Sequence, residues 1–451
     1  MSKIFGTDGI RCLVNKEPLS AETCLKISKS VAYVLRNKNN HNSRVVICKD
    51  TRLSGYLYEP LVTAGFISMG LEVVLIGPLP TPAVPLMIKT LRADIGVMIT
   101  ASHNTYEYNG LKFFDNNGFK LSPSIEEKVE KIVLNKNKYS KIFNNTFVSG
   151  KARRLEDAAG RYSEFLKRSL PNKLIKRKFK IVLDCANGAT YNIAPNLFWE
   201  LGHKIIVINN NPDGKNINKN CGAVDTLQLS KTVISNKADI GFAFDGDGDR
   251  IIIIDENGIE VDGDKIIALM CKNFIKPNNK SREHDVIITI MSNMGLEKYL
   301  KDKLKLKIKR TAVGDINVIN QMKKSKSLIG GEQSGHIILS QYSNSGDGIL
   351  TALKITEIMS LNKQKASKIF DLYREYPQEK INLKYKNKNT KLLKIINQLN
   401  KNKMFNNKKI RSLVRLSGTE PIVRILVEGE SNNLVKKISM EIKNLVRLHL
   451  E

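Results

Sequence analysis

Short runs of β-branched residues recur along the chain, and each run ends abruptly in small or polar residues. These segments are VVICKDTR (45–52), IVLDCANG (181–188) and VIITIMSNMG (286–295). Each run has the length and composition of a buried strand, and helix-like spacing of apolar residues follows each loop. The pattern predicts α/β units, and its recurrence at intervals of more than a hundred residues predicts three similar units in series.

The last part of the chain has a different pattern. Residues 410–416 and 422–427 are strand-like and are separated by a turn. Apolar residues then recur at three- and four-residue spacing behind Ser431, which we predict to be the N-cap of a helix. These features predict a small α+β domain at the end of the chain.

Polar stretches divide the chain into four predicted domains. We expect α/β domain I with a phosphoserine loop, α/β domain II with a metal-binding loop, α/β domain III with a sugar-binding loop and α+β domain IV with a phosphate-binding loop. Their predicted bounds are 1–150, 151–256, 257–370 and 371–451.

Composition indicates a globular protein outside the membrane. The 451 residues are 41% hydrophobic and 26% charged. No apolar run is long enough to span a bilayer, and the N-terminus lacks a basic segment followed by an apolar one, so we expect a cytoplasmic location. The six cysteines form no CxxC pair, which indicates neither a zinc site nor a disulfide framework.

The net charge leaves open a protein of a different class. With 73 Lys and Arg against 44 Asp and Glu, the formal charge is +29, and a basic protein can bind nucleic acid by neutralising phosphates. However, the lysines are mixed with asparagines, as at 135–139, 384–390 and 400–403, without interleaved aromatic residues or a binding motif. We therefore expect exposed surface and no nucleic-acid partner, and keep a basic nucleic-acid-binding protein as the alternative.

The first of four loops with candidate functional residues is TASHN at 100–104, directly after the apolar run at 95–99. Ser102 lies at the mouth of a predicted buried strand, where it would face a cleft. His103 and Lys112 could supply donors or accept a proton, which a serine nucleophile needs. The competing interpretation is an ordinary turn with local backbone hydrogen bonds.

The second loop is DGDGDR at 245–250, between two apolar runs. Asp245, Asp247 and Asp249 would repel one another unless a cation lay among them, and the intervening glycines let the backbone curl around it. Oxygen ligands favour Mg²⁺ or Ca²⁺ over zinc. An EF-hand is excluded because Arg250 occupies the place reserved for glycine. An acidic surface turn remains the alternative.

The third loop is GGEQSGH at 330–336, in which Glu332, Ser334 and His336 alternate. They could present an acceptor, a hydroxyl and an imidazole to a polyhydroxylated ligand. A glycine-rich surface turn is the alternative.

The fourth loop is RLSGTEPIVR at 415–424. It would hold a phosphate through guanidinium groups, hydroxyls and backbone N–H groups, without the spacing of a nucleotide P-loop. A hairpin turn with exposed arginines is the alternative. The residues concerned are Arg415, Ser417, Gly418, Thr419 and Arg424. Together the four loops predict phosphoryl transfer on a phosphorylated polyol.

The chain resembles the bacterial phosphoglucosamine mutase branch of the α-D-phosphohexomutase superfamily, over essentially its whole length. The resemblance rests on the four loops and on FGTDGIR (5–11), GPLPTPA (77–83), ARRLED (152–157), NPDGKNIN (211–218) and VGD (313–315). Gln333 is similar to this branch, whereas the phosphomannomutase/phosphoglucomutase branch, the alternative, typically has Met there. The resemblance implies three related α/β domains with mixed sheets and a smaller C-terminal α+β domain, heart-shaped around a central cleft.

The implied reaction interconverts glucosamine 6-phosphate and glucosamine 1-phosphate through a bound glucosamine 1,6-bisphosphate, toward UDP-N-acetylglucosamine and peptidoglycan precursors. The resemblance implies a phosphorylated Ser102 and one Mg²⁺ per subunit, held by Asp245, Asp247, Asp249 and a phosphoserine oxygen. It implies substrate contacts from Glu332 and Ser334, and a grip on the non-reacting phosphate by the fourth loop. Lys112 and His336 are candidate acid/base groups, and Arg11 and Arg250 would lie near the reacting phosphate. The resemblance also implies the partners: we expect a small-molecule phosphosugar substrate, a homodimer, and activation of Ser102 by a kinase or by self-phosphorylation.

Five positions depart from the family pattern: Cys12, Cys48, Thr105, Tyr108 and Ile316. Glycine is usual at the two cysteine positions and proline at position 105. A side chain at a glycine site that requires positive φ would cost about 1 kcal/mol, so these changes raise the question of loop rigidity.

Overall fold

The computed structural model describes residues 4–6, 8–36, 43–143, 149–171, 177–275, 285–385, 390–407, 409–417 and 421–450. The chain forms two compact units. The first comprises Met1–Met291 and Leu306–Phe370, and the second comprises Ser292–Lys305 and Asp371–Glu451.

The first sheet is mixed and has six strands. Its strand order is β1-β5-β4-β2-β3-β6. The strands are β1 (Ile10–Leu13), β2 (Arg44–Lys49), β3 (Glu72–Leu75), β4 (Ile95–Ile99), β5 (Tyr108–Phe114) and β6 (Ala152–Arg154), and the helices are α1 (Ala21–Leu35), α2 (Gly55–Ile67), α3 (Ala83–Leu91), α4 (Pro123–Val133) and α5 (Lys136–Phe143).

The second sheet has five strands in the order β11-β10-β9-β7-β8. The helix α6 (Ala158–Arg168) precedes it. The strands are β7 (Lys180–Asp184), β8 (Lys204–Ile208), β9 (Ile240–Phe244), β10 (Ile251–Asp255) and β11 (Glu260–Val261), with α7 (Ile193–Glu200), a 3₁₀ turn (Gly222–Val224) and α8 (Leu227–Ser235) between them.

The third sheet has four strands in the order β13-β12-β14-β15. Its strands are β12 (Val286–Thr289), β13 (Ile308–Thr311), β14 (Ile329–Gly331) and β15 (Ile337–Leu339). The helices are α9 (Gly263–Phe274), α10 (Met294–Lys298) with a π-helical turn (Tyr299–Lys303), α11 (Asp315–Ser325), α12 (Gly348–Asn362) and α13 (Ala366–Phe370).

These three sheets share one arrangement. In each, the first strand of the repeat lies between the second and third strands and runs parallel to both, and a fourth strand runs antiparallel to the third. The antiparallel pairs are β4–β5, β9–β10 and β14–β15. The prediction of three similar units is confirmed, and the predicted strands at 45–47, 181–183 and 286–288 lie within β2, β7 and β12.

The shared arrangement explains where the reactive loops lie. The Ser102 loop joins β4 to β5, the aspartate loop joins β9 to β10, and the GGEQSGH loop joins β14 to β15. The same hairpin connection therefore carries a candidate functional loop in all three repeats. The strands before it are apolar and fully buried, since every residue of β4, β9 and β14 lies in the core.

The second compact unit contains an antiparallel sheet with the strand order β16-β18-β17. Its elements are β16 (Gln378–Lys384), α14 (Thr390–Lys401), β17 (Ile410–Leu416), β18 (Ile422–Gly429) and α15 (Asn432–Arg447). Ser431 Oγ accepts a hydrogen bond from Leu434 N at 3.3 Å, so the predicted N-cap is confirmed. The unit also includes α10, because Asn293 and Met294 bond to Tyr376 and Glu428. The domain bounds themselves stay predictions.

The strain expected at two cysteines is absent. Cys12 lies in β1 and Cys48 lies in β2, and neither has a positive φ. The condition for this cost, a positive φ, is not met, because both positions have extended backbone, which any residue adopts. Burial raises the pKa of Cys48 to about 12, so its thiol is inert.

No helix in the described part of the chain is long and apolar enough to cross a membrane.

Candidate active site

Ser102 lies in the connection between β4 and β5, and its side chain reaches the aspartate loop. The residue is buried, and its Oγ donates a hydrogen bond to Asp245 Oδ2 at 2.7 Å. Its φ of 51° is left-handed, which is uncommon for a residue with a side chain and marks a backbone held by its surroundings. The structure therefore brings together the predicted nucleophile and the predicted metal loop.

The three aspartates of this loop converge as predicted. Asp245, Asp247 and Asp249 are all buried, and each offers an oxygen within 4.8 Å of the others. Burial and the two neighbouring carboxylates raise the pKa of Asp245 well above its usual value. Such a cluster is costly unless a cation compensates it.

Lys112 supplies part of that compensation. Its Nζ lies 2.9 Å from Asp247 Oδ2, 3.1 Å from Asp249 Oδ2 and 3.2 Å from Asp8 Oδ2. Burial alone would lower the pKa of Lys112, but the aspartates outweigh it and raise this pKa well above its usual value. Lys112 is therefore an ammonium group in this arrangement and can donate, but not accept, a proton.

The aspartate loop also fits a divalent cation. Among the described residues, no donor reaches Asp247 Oδ1, although this oxygen is buried. Its other oxygen accepts from Thr81 Oγ1 at 2.5 Å and from Lys112. An unpartnered carboxylate oxygen within an all-oxygen cluster is what a hard cation such as Mg²⁺ would bind.

Two arginines contact the serine loop, Arg250 at His103 and Arg11 at Asn104. Arg250 N donates to Asp245 Oδ1 at 3.1 Å, and Arg250 Nη1 lies 3.2 Å from His103 Nδ1. Arg11 Nη1 donates to Asn104 Oδ1 at 3.3 Å. Burial, Arg250 and Arg11 together lower the pKa of His103 to about 4, so this histidine is neutral near pH 7.

The GGEQSGH loop contributes His336 to the same cluster. His336 Nδ1 lies 3.5 Å from Asp249 Oδ1, and Gly346 N donates to His336 Nε2 at 3.2 Å. Burial lowers the pKa of His336, but Asp249 outweighs it and raises this pKa. The Gly346 contact favours a neutral ring with its proton on Nδ1, facing Asp249.

The other members of that loop have separate partners. Glu332 is buried and its Oε1 accepts from Gly314 N at 2.9 Å, whereas Ser334 is exposed at the tip. Gln333 Nε2 donates to Asp262 Oδ2 at 3.0 Å. This hydrogen bond links the loop to the N-cap residue of α9.

Three further charged residues, which the motif analysis did not single out, complete the cluster. Lys120 Nζ bonds to Asp8 and to Asp315, and Asp315 Oδ2 lies 3.9 Å from His336 Nε2. With the contacts above, acids and bases alternate in a closed ring. Its members in order are Asp8, Lys112, Asp249, His336, Asp315 and Lys120. Asp8 and Asp315 lie inside quoted motifs, whereas no sequence pattern indicated Lys120.

The fourth predicted loop belongs to the second compact unit. Arg415 and Arg424 are directly opposite each other in the β17–β18 pairing. Burial and Arg424 lower the pKa of Arg415, as expected for two like charges held together. Ser417 lies in the connection between them, and Gly418 and Thr419 lie outside the described residues. Paired guanidinium groups favour an anionic ligand.

Comparison with known protein families defines the class of protein. The Phosphoglucomutase/phosphomannomutase family matches in chain order through its alpha/beta/alpha domain I (residues 2–140), domain II (160–258), domain III (262–376) and C-terminal domain (381–445). The chain therefore belongs to this four-domain family.

Relatives narrow the family to one branch. The phosphoglucosamine mutase of Rhodospirillum rubrum is 42% identical over 96% of this chain and 96% of its own length. At this identity and coverage, the chain groups with the phosphoglucosamine mutases.

Solved structures share the fold. A phosphoglucomutase/phosphomannomutase family protein from Burkholderia thailandensis has a TM-score of 0.85 at 22% identity, covering 99% of this chain and 97% of its own. The Aspergillus fumigatus N-acetylphosphoglucosamine mutase, solved in complex with GlcNAc-6P and magnesium, has a TM-score of 0.67 at 18% identity, covering 99% and 96%.

Proposed function

We propose that this protein is an isomerase that interconverts glucosamine 6-phosphate and glucosamine 1-phosphate. The observation that carries the proposal is the 2.7 Å hydrogen bond between Ser102 Oγ and Asp245 Oδ2, which joins a buried hydroxyl to a cluster of three buried carboxylates in a chain of this family. A nucleic-acid-binding protein would need neither feature.

The reaction transfers a phosphoryl group twice. Phosphorylated Ser102 gives its PO₃ group to the 1-hydroxyl of glucosamine 6-phosphate. The serine O–P bond breaks and the serine oxygen takes up a proton, while a sugar O–P bond forms and the 1-hydroxyl gives up a proton, so the step balances. The bound glucosamine 1,6-bisphosphate turns around, and Ser102 then takes the phosphoryl group from the 6-position. The products are glucosamine 1-phosphate and regenerated phosphoserine. Glucosamine 1-phosphate is a precursor of UDP-N-acetylglucosamine.

In this proposal Asp245, Asp247, Asp249 and a phosphoserine oxygen would hold one Mg²⁺, which would supply positive charge at the transferring group. Support comes from the unpartnered Asp247 Oδ1 and from the magnesium named for the Aspergillus protein. Arg250 N–H orients Asp245, and the Arg250 guanidinium lies beside His103 in the serine loop.

The acid/base roles go to Lys112 and His336. Lys112 is protonated and buried beside the aspartates, so it can donate a proton or stabilise developing negative charge. His336 can accept a proton at the same cluster, and Arg11 orients the serine loop through Asn104. Glu332 and Ser334 would contact the sugar hydroxyls.

The non-reacting phosphate would be held by Arg415, Ser417, Gly418, Thr419 and Arg424. The Arg415–Arg424 pairing supports an anion site. Holding the sugar by its distant phosphate keeps the intermediate bound while its two ends exchange places.

Location and partners complete the proposal. The six free cysteines support a reducing compartment such as the cytoplasm. A homodimer, and activation of Ser102 by a kinase or by self-phosphorylation, remain part of the proposed function.

The test is intact-protein mass and mutase activity of the wild type, Ser102→Ala and an exposed control, Ser235→Ala. We expect the mass of one phosphate and activity in the wild type and in Ser235→Ala, and neither in Ser102→Ala. An active Ser102→Ala enzyme would overturn the proposal.

The phosphomannomutase/phosphoglucomutase alternative requires a substrate comparison. Glucosamine 6-phosphate and mannose 1-phosphate should be assayed side by side on the same preparation. We expect a higher kcat/KM for the glucosamine sugar, and preference for mannose 1-phosphate would establish the alternative.

A further inference from the structure

The KDTR segment at 49–52 lies directly beneath the Ser102 loop, although the proposed chemistry assigns it no role. Arg52 has a side chain that is 0% exposed. Its guanidinium donates to three backbone carbonyls of the serine loop, to a fourth at the start of β5 and to the carboxylate of Asp50. The carbonyls are those of Ser102, Asn104, Thr105 and Tyr108.

These contacts use every donor that an arginine has. The guanidinium carries five N–H groups, and five acceptors surround it. Lysine carries its three donors on a single nitrogen, so in place of Arg52 it could not satisfy all five acceptors. Arg52 therefore contacts the loop backbone along most of its length.

A second route fixes the amide of Ser102. Ser102 N donates to Thr100 Oγ1 at 2.8 Å, and Thr100 Oγ1 donates to Asp50 Oδ2 at 2.6 Å. The same Asp50 oxygen accepts from Arg52 Nε at 2.9 Å, and Arg52 Nη2 donates to Ser102 O at 2.9 Å. The contacts close a circuit that begins at the N–H of Ser102 and returns to its C=O.

This circuit accounts for the unusual backbone of Ser102. A left-handed φ persists in a residue with a side chain only when the surroundings determine it. Thr105, which replaces the family's proline, supplies no ring to stiffen the loop, but its carbonyl is bonded by Arg52. Asn218 Nδ2 adds a second donor to Ser102 O at 2.8 Å.

We propose that Thr100, Asp50 and Arg52 are positioning residues that aim Ser102 Oγ at the reacting phosphoryl group by fixing the backbone on both sides of Ser102. The inference rests on the proposed function of Ser102. None of the three touches substrate in this proposal, so their removal should slow phosphoryl transfer while leaving substrate binding nearly unchanged.

The deciding variants are Thr100→Val, which removes the hydroxyl at nearly constant shape, and Thr100→Ser, which keeps it. Thr356→Val is the matched control, because Thr356 is equally buried and its hydroxyl donates to Ala352 O in α12. Each variant is assayed for kcat and KM, melting temperature, Mg²⁺ affinity by calorimetry and the rate at which glucosamine 1,6-bisphosphate phosphorylates Ser102.

We expect Thr100→Val to lower kcat and the phosphorylation rate about ten- to hundredfold with KM within about twofold, which is the range for a nucleophile displaced by a fraction of an ångström to 1 Å. Thr100→Ser should restore most of the rate, and Thr356→Val should match the wild type. Equal kcat in Thr100→Val and Thr356→Val, or equal loss in the valine and serine variants, would overturn the proposal.

Arg52→Lys is a second variant, and we expect it to lose more kcat than Thr100→Val if it folds. A folded Arg52→Lys with wild-type kcat would also overturn the proposal.

Different results would overturn the proposed function and the positioning role. If the wild type carries no phosphate on Ser102 and Ser102→Ala is active, the proposed function fails. If Ser102 is phosphorylated normally in the wild type and Thr100→Val is fully active, only the positioning role fails.

Discussion

The Ser102 loop and the aspartate loop occupy the same position in two successive repeats, but different interactions stabilise them. Hydrogen bonds to its backbone hold the first, because Arg52, which is paired with Asp50, and Asn218 donate to its carbonyls. Side-chain charges hold the second, because Lys112 bonds to two of its carboxylates. One scaffold position thus supports a loop of fixed backbone and a loop whose charges require cations.

The difference predicts different responses to change. The aspartate loop should respond to cations and to pH, since its energy depends on unbalanced buried charge. The serine loop contains no such group of carboxylates, so it should depend less on cations and should respond to the loss of individual hydrogen bonds. Each of the following variants tests one side of this comparison.

The largest effect on Mg²⁺ binding is expected for Asp247→Asn. It removes the charge from the aspartate whose Oδ1 lacks a partner, so we expect Mg²⁺ affinity to fall about ten- to hundredfold or more, with a parallel loss of kcat. Calorimetric titration with Mg²⁺ measures the first effect without turnover. Asp225→Asn, in a turn of the second repeat, is the control, and unchanged metal affinity in Asp247→Asn would show that the loop holds no cation.

The next effect is expected for Lys112→Met, which leaves Asp8, Asp247 and Asp249 without their shared ammonium group. Breaking a buried charge pair costs about 3–5 kcal/mol of unfolding free energy. Saturating Mg²⁺ should recover part of this cost, because the dication replaces the lost charge.

Denaturant unfolding in EDTA and in Mg²⁺ measures the Lys112→Met effect. The exposed Lys141→Met is its control. An equal loss of stability in both conditions would contradict a charge-held loop.

A smaller, pH-dependent effect is expected at Asp347, which caps α12 behind the aspartate loop. Gly348 N donates to Gly248 O at 3.0 Å, and Asp347 Oδ2 accepts from Tyr162 OH. Burial raises the pKa of Asp347 to about 7, against about 3.9 in an unfolded chain. The folded protein therefore binds this proton more tightly, and the resulting stability is complete below about pH 4 and is lost as pH rises through about 7.

Asp347→Asn stays neutral at every pH and should lack this decline. Melting temperatures of the wild type and Asp347→Asn between pH 5 and pH 8 test it. A constant difference between the two curves would show that Asp347 does not titrate in this range.

The smallest effect is expected for Thr105→Pro in the serine loop. Restoring the family's proline at a residue without positive φ should add about 0.4–1 kcal/mol of stability through the unfolded state and leave kcat within about twofold. Urea unfolding and steady-state kinetics measure both. A large loss of activity would mean that Arg52 and the proline ring fix different loop conformations.

Much of this arrangement could be predicted from the sequence, because it depends on local patterns. The β-branched runs became β2, β7 and β12, and Ser431 caps α15 as its position before an apolar periodicity indicated. The convergence of the three aspartates also followed from their spacing with glycine.

Long-range partners could not be predicted in this way. Lys120 bonds to Asp315, which is 195 positions away, and Thr81 bonds to Asp247, 166 positions away. Neither lysine nor threonine has a local pattern that marks it as a partner, since the pairing arises only from the packing of different repeats. Whether Cys12 is strained could not be predicted either, because a motif comparison gives no backbone angles.

Ser102 O accepts donors from Arg52 in the first repeat and from Asn218 in the second. A gene fragment encoding only residues 1–150 would contain the nucleophile but lack both Asn218 and every aspartate of the neighbouring loop. Each repeat therefore has its own sheet, but the proposed active site needs residues from more than one repeat. Splitting the chain between the first and second repeats should yield two inactive fragments, and their reassembly could be followed by the return of mutase activity.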